Sequence, residues 1–266
     1  MTRDDPARRE VPAAETLVLA DRVHRHALVI PVINEGERIQ RQLRRIVELA
    51  PRVDVVIADG GSTDGSLAPE ILRACNVRAL LTKRGPGRLG AQLRMAYAWC
   101  LDEGYAGIVT VDGNNKDGME AIERFVEALE AGYDYVQGSR YRRGGQAVNT
   151  PLDRQIAGRL IHAPLLSLAG RRWYTDTTNG FRGYSAAYLR DPRVNPFRHV
   201  FGDYALLFYL TVRAGQLGYR TIEIPVSRRY PPHGKTPTKI SGLEGRFAML
   251  RELRDTVRGV FNPPGS

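Results

Sequence analysis

The chain has 266 residues, 42% hydrophobic and 26% charged, with a formal net charge of +10. That composition is ordinary for a globular protein and fills one large α/β domain or two small ones. Two cysteines, Cys75 and Cys100, without a zinc-like or Cys-x-x-Cys partner, exclude a zinc module and a disulfide scaffold. They point to a reducing compartment, so a cytoplasmic location is expected. No apolar run approaches the roughly 18 residues of a spanning helix, and residues 1–26 carry no signal-like core, so a soluble or peripheral protein is expected. Of the 39 basic residues only four are Lys. Arg forks match phosphate oxygens, which suits phosphorylated ligands or an anionic membrane surface. A GC-rich genome accounts equally well for the same bias.

In chain order, residues 1–26 read as a polar, flexible arm. A short buried strand is expected at 27–30, closed by Pro31. Ile39, Leu43, Ile46, Val47 and Leu49 then recur at near-helical spacing over 36–49. Residues 53–57 form a second strand, followed by Gly60-Gly61-Ser62-Thr63-Asp64, a loop with helix-cap chemistry. A helix to about residue 75, a strand at 77–81, a helix at 89–103, a strand at 108–111, a helix at 118–130 and a strand at 133–137 follow. This βαβα rhythm predicts a mostly parallel sheet with helices on both faces. Beyond Gly138 the pattern loosens. It gives a basic loop at 140–151, a helix at 153–169 that Pro164 kinks, loop and strand at 175–184, a helix at 203–216, and a strand at 219–226. A long loop at 228–241 and an amphipathic terminal helix at 242–260 complete it.

Asp112-Gly113-Asn114 directly follows Ile108-Val109-Thr110-Val111. A carboxylate and an amide oxygen at spacing two, at a strand end, suit a divalent cation carrying a diphosphate, since magnesium uses one or two carboxylates plus substrate phosphates. Asn34-Glu35 and the segment from Asp59 to Asp64 also follow apolar runs. In open α/β sheets ligands bind beyond the carboxyl ends of strands, so the three clusters would converge on a nucleotide-sugar pocket. Each carboxylate has a plainer role as a turn or helix cap.

The motif order resembles family 2 inverting glycosyltransferases of GT-A fold, and within them the dolichol-phosphate mannose synthases and polyprenyl-phosphate sugar transferases. Over about residues 27–240 the carriers are Pro31-Val32-Ile33-Asn34-Glu35, Asp59-Gly60-Gly61-Ser62-Thr63-Asp64-Gly65, Arg88-Leu89-Gly90-Ala91, Val111-Asp112-Gly113-Asn114, Gly138-Ser139-Arg140-Tyr141, Thr178-Asn179-Gly180-Phe181-Arg182 and Gly234-Lys235. The resemblance implies one GT-A domain at 27–266, with a nucleotide-sugar half (27–138) and an acceptor half (139–266). It implies that Pro31, Asn34, Glu35, Asp59, Arg88, Asp112, Gly113, Lys116, Arg140, Arg229 and Lys235 contact the nucleotide sugar or the acceptor phosphate. Glu35 would meet the ribose and Asp59 the base; the family's second carboxylate there is Gly60 in this chain. Asp112 and Asn114 would hold Mg²⁺ or Mn²⁺. Asn in place of the family's second Asp loses a charge, so a weakened metal requirement is expected, with Lys116 partly restoring the balance on the diphosphate.

Asp176, Asn179 and Arg182 belong to the segment that lies near sugar and acceptor in this family, so Asp176 and Arg182 stand with Asp203 as catalytic candidates. In relatives acting on hydroxyls, a carboxylate near Asp203 is the general base. A phosphate acceptor needs none, since it is already an anion near neutrality. The expected donor is a GDP- or UDP-sugar and the expected acceptor a polyprenyl phosphate. The alternatives are a soluble hydroxyl acceptor and, from charge alone, a nucleic acid, for which no recognition motif is present. The terminal helix reads as an interfacial membrane helix, a helix packed on the domain, or a homodimer contact.

Overall fold

The computed structural model describes residues 9–231 and 242–264. Along the chain run β1 (Ala14–Val18), β2 (His26–Val32), α1 (Glu37–Leu49), β3 (Asp54–Asp59), α2 (Pro69–Ala74), β4 (Val77–Lys83), α3 (Leu89–Asp102) and β5 (Gly107–Thr110). A 3₁₀ turn at Met119–Ala121 leads into α4 (Ile122–Glu130), then β6 (Tyr135–Ser139), β7 (Gln146–Val148), α5 (Leu152–Ile156), a π-helical turn (Ala157–His162) and α6 (Ala163–Ala169). The chain continues through β8 (Arg182–Ser185), α7 (Ala186–Arg190), α8 (Ala205–Gln216), β9 (Thr221–Pro225), β10 (Ser227–Arg229) and α9 (Gly242–Val257).

Eight strands form one sheet in the order β1-β4-β3-β2-β5-β8-β6-β9, and β10 pairs with β7 separately. The central block β4-β3-β2-β5 is parallel, as is β6 with β9; β8 runs antiparallel between β5 and β6. β2 and β3 are buried almost throughout, as befits parallel strands covered on both faces. On one face Ile39, Leu43 and Ile46 of α1 pack with Leu72 of α2 and Phe125 of α4. On the other, Leu93 and Tyr97 of α3 pack with Tyr188 of α7 and Leu206 and Tyr209 of α8. Each such apolar side chain contributes about 1.5–3 kcal/mol on burial.

The flexible arm expected for residues 1–26 is, from residue 9 onward, packed on the domain. β1 pairs antiparallel with β4 at the sheet edge. Arg9 bonds Asp102 at 2.8 Å, Glu10 meets His199 at 2.7 Å, and buried Asp54 accepts from the backbone N–H groups of Val23 and His24. Before Pro164 the helix takes a π-helical turn: the Ala163 N–H reaches back five residues to the Gly158 carbonyl, and Pro164 has no N–H to offer Leu160. The terminal helix packs on the domain, with buried Leu253 against Leu166, Phe208 and Val212.

Candidate functional site

Because β2, β3 and β5 are parallel neighbours, their following loops leave the same sheet edge, with Val32 level with Asp59. Hydrogen bonds lock the first two loops together. The Asn34 N–H donates to Ser62 Oγ at 3.0 Å, the Thr63 N–H to Asn34 Oδ1 at 2.8 Å, and the Gly36 N–H to Asp64 Oδ2 at 2.8 Å. Asp59 is buried and accepts from the Ser62 N–H and hydroxyl at 2.8 and 2.6 Å. Asp64 also accepts from Ser66, which gives it the loop-fixing part expected of a short carboxylate. Glu35 is nearly buried and accepts from Arg38 Nε at 2.9 Å. Pro31 sits in β2 with its carbonyl against Gly113. Beside these loops lies a cleft of about 260 Å³, lined by Asp59, Ser62, Asp64, Leu67, Leu80 and Arg84. Gly60 faces Gln92, and a Cβ there would come within 3.0 Å of its amide. Gln92 donates at 2.9 Å to both the Val32 and the Ala58 carbonyl. Packing therefore leaves little room at 60 for the second carboxylate of the family pattern.

The loop after β5 is fastened to α1 by Gln42. Its amide donates to the Asp112 carbonyl at 3.0 Å and accepts from the Asn115 N–H at 2.7 Å. A fully buried glutamine in the apolar stripe of α1 was the signal for this role. The Asp112 side chain is 32% exposed, and Arg228 Nη2 donates to its Oδ2 at 2.9 Å. The other Arg228 nitrogen, Nη1, donates to buried Asp117 at 2.5 Å. Burial pushes the Asp117 carboxyl up to about 6, with Arg228 opposing and Asp112 adding. Arg228 stays charged because two carboxylates face it.

Arg228, with Arg154 and Tyr230, is a residue at this place that sequence reasoning missed. Its neighbour Arg229 is exposed and makes a backbone bond to the Lys116 carbonyl. β10 alternates, so one of two adjacent arginines turns inward and the other out. Lys116 Nζ lies 5.1 Å, Arg228 5.5 Å and Arg154 6.0 Å from the centre of the Tyr230 ring. Burial and then Arg228 push the Lys116 ammonium below its ordinary value. Burial raises the Tyr230 phenol, but Arg228, Arg140 and Arg154 together pull it below the usual range. A dense cation cluster thus stands beside Asp112.

For a divalent cation, Asp112 is the available carboxylate. Asn114 lies beside it, and its Oδ1 accepts from the Lys116 N–H at 3.3 Å. Among the described residues no group of three or more His, Cys, Asp or Glu side chains converges. Asn114 turns its amide nitrogen, not its oxygen, toward Asp112 Oδ2 at 3.5 Å, so one carboxylate and a substrate diphosphate are what fit the habits of a hard cation here.

Two catalytic candidates, Asp176 and Arg182, are buried in hydrogen-bond networks of the fold. Asp176 is buried in a fork with Arg140, whose Nε and Nη2 donate at 2.7 and 2.9 Å. Burial raises its carboxyl, and the Arg140 fork more than offsets this, holding it below the usual range. Both its oxygens are committed, so Asp176 positions the Arg140 backbone and Thr178. Arg140, expected at the ligand, is equally committed to Asp176 and Thr178. Arg182 is fully buried and donates to the carbonyls of Thr177, Asn179 and Leu207, tying the 177–179 loop to α8.

Asp203, just before α8, is 26% exposed and 3.7 Å from Arg88, itself 80% exposed at the start of α3. Burial pushes Asp203 above the usual carboxylate range against the pull of Arg88. Lys235 lies outside the described residues.

Gly180 presses on Asp112 from the segment before β8: a Cβ there would sit 2.5 Å from Asp112 Oδ1. Gly180→Ala should displace that carboxylate and lower kcat/KM about 10²-fold. Thermal melting should be nearly unchanged, because the clash falls on a partly exposed side chain. Steady-state kinetics alongside a melting curve checks both.

The model of glycosyl transferase family 2 matches residues 27–193. The chain is 28% identical over 257 residues to a polyprenol monophosphomannose synthase of Mycolicibacterium smegmatis, covering 96% of this chain and 95% of that one. It is 31% identical over 207 residues to an undecaprenyl-phosphate mannosyltransferase of Micrococcus luteus, covering 75% and 81%. Among solved structures it resembles glucosyl-3-phosphoglycerate synthase of Mycobacterium tuberculosis in complex with Mn²⁺, uridine diphosphate and phosphoglyceric acid. The TM-score there is 0.61 at 19% identity, covering 91% of this chain and 80% of that one. The GT-A-like sheet, the motifs along its edge and the family match agree: the chain is a glycosyltransferase and belongs to glycosyl transferase family 2.

Proposed function

We propose that the protein transfers a sugar, with inversion, from a GDP- or UDP-sugar to a polyprenyl phosphate. The nucleotide base and ribose occupy the cleft beside Asp59 and Glu35, and the diphosphate reaches Asp112. Mg²⁺ or Mn²⁺ bound there would stabilise charge on the departing diphosphate. Asp112 would hold it, with Asn114 alongside. Arg228 and Lys116 supply fixed positive charge next to the same phosphates, which supports a weakened metal requirement.

The observation that carries this reading is the convergence of Lys116, Arg154 and Arg228 on Tyr230 beside Asp112. With Lys116 and Arg228 given to the diphosphate, Arg154 is placed for a second anion, the acceptor phosphate. The names of the two mannosyl-transferring relatives support the same acceptor class. The direct test incubates purified protein with a panel of nucleotide sugars, with and without polyprenyl phosphate, and follows nucleoside diphosphate release. Turnover that needs no lipid phosphate overturns the proposal.

A second reading, a soluble hydroxyl acceptor, draws on Asp203, whose raised carboxyl and partial exposure suit a general base. The two readings part at Asp203→Asn. With a phosphate acceptor, turnover should change less than about threefold. With a hydroxyl acceptor it should fall about 10²–10⁴-fold, the worth of a positioned base.

A further inference from the structure

Among the described residues, the largest group of exposed apolar side chains on one stretch of chain lies on the helical run 152–169. Eight residues of the continuous helical run 152–169 are exposed, and six of these are Leu or Ile; Asp153 and Arg159 are the others. Leu160 is 72% and Leu168 74% exposed, and Trp173, just beyond the run, is 68% exposed. A helix that merely covers a core turns its polar side to water. This one buries Gly158, His162, Ala163, Leu166 and Ser167 and leaves its other four leucines outside. Apolar surface gathered in this way marks an interaction site. The neighbouring helix α9, packed against α6, extends it with exposed Phe247 and Leu250.

The same run reaches the site on its inner flank. Arg154 approaches Tyr230 in the cation cluster, and Arg159 lies 4.9 Å from the centre of the Tyr141 ring. Gly158 packs against Thr178, whose hydroxyl accepts from Arg140 at 2.7 Å. The helix thus separates the phosphate-binding cations from an exposed apolar face by its own width.

Charge selects the occupant. Between residues 140 and 175 the chain has seven Arg (140, 142, 143, 154, 159, 171 and 172) and a single acid, Asp153. A second copy docked on this face would bring two such arginine sets together. An anionic lipid surface answers both the charge and the leucines, and a tryptophan at the edge is at home where headgroups meet acyl chains.

We propose that the helical run 152–169, with Trp173, seats the protein on an anionic lipid bilayer. Its leucines enter the headgroup–acyl boundary, and Arg154 and Arg159 stand at the level of the lipid phosphates. The face then presents a lipid-linked phosphate to the cation cluster; this part of the proposal rests on the polyprenyl phosphate reading.

The test compares the full chain with the doubly substituted Leu160→Glu, Leu168→Glu variant. Both positions are exposed, so the fold should be kept. Flotation is measured with vesicles of phosphatidylcholine alone and mixed with phosphatidylglycerol, at low and high salt. The unsubstituted chain should float with the anionic vesicles, salt-dependently, and the variant should partition at least tenfold less. Turnover on a short, water-soluble isoprenyl phosphate should be equal in the two proteins, whereas turnover on polyprenyl phosphate in vesicles should fall in the variant. Failure of the unsubstituted chain to float, or equal flotation of the variant, overturns the proposal. So does a lipid-free dimer, seen by sedimentation velocity, that the substitutions convert to monomer, since a second copy would then cover the face. Flotation as expected, with no turnover on any isoprenyl phosphate, leaves the docking face standing and removes the acceptor reading.

Discussion

Asp112→Asn should lower turnover about 10²–10³-fold, the scale of losing one preorganised group facing developing charge, while leaving the protein folded. The expectation follows from what the carboxylate touches. Its Oδ2 accepts from Arg228 at 2.9 Å, its Oδ1 abuts Gly180, and its backbone carbonyl is held by Gln42. Asparagine keeps the shape and the Gln42 bond, and Arg228 retains buried Asp117 as a counter-charge. Stability should therefore move little. The lost charge should instead weaken cation binding in the presence of nucleoside diphosphate. Mn²⁺ affinity measured by paramagnetic relaxation should fall along with turnover. Asp153→Asn, at an exposed position outside the site, is the control and should be silent. A variant at position 112 that keeps more than about a third of normal turnover would place the diphosphate elsewhere.

The parallel half of the fold was legible because the central strands carry short apolar runs and α1 and α4 carry periodic stripes, although β2 runs through Pro31 to Val32 instead of closing there and α3 is buried on nearly every side. The three ligand loops were legible for the same reason, since a polar cluster after a buried parallel strand has to emerge at one sheet edge. β1 was not legible. All five of its residues are exposed, and it is a strand only because β4 offers an open edge. The networks that hold Asp176 and Arg182 were hidden for a related reason. A charged residue in a polar segment looks available until its partner is known, and Arg140 arrives from 36 residues away. Arg182 is held by the carbonyls of Asn179, three residues away, and Leu207, 25 residues away on α8. The inward turn of Arg228 rather than Arg229 depends on the register of β10 against β7, which neither short strand reveals alone.

Arg228→Met should be the most destabilising single change at the site, by about 3–5 kcal/mol at pH 8. Methionine can fill the volume of the aliphatic stem, but it leaves Asp117, 1% exposed, without its cation. Breaking a buried pair from one side costs more than removing both partners. Asp117→Asn combined with Arg228→Met should therefore recover most of the stability. It should not recover activity, because Asp112 has still lost its fixed neighbour. The pH dependence identifies the group responsible. With Arg228 present, Asp117 already titrates at about 6, above the ordinary value near 3.9. A carboxyl raised in the folded state supports folding below its unfolded value and loses that support as pH rises through the folded one. Removing Arg228 raises the folded value further and carries the loss to higher pH. The stability gap between the unsubstituted protein and Arg228→Met should consequently be smallest at pH 5 and widen to pH 8, as urea unfolding at several pH values would show. A gap that stays flat across that range would mean that Asp117 does not carry the unpaired charge. The coupling between Asp112, Arg228 and Asp117 would then have to be sought in packing around Tyr230.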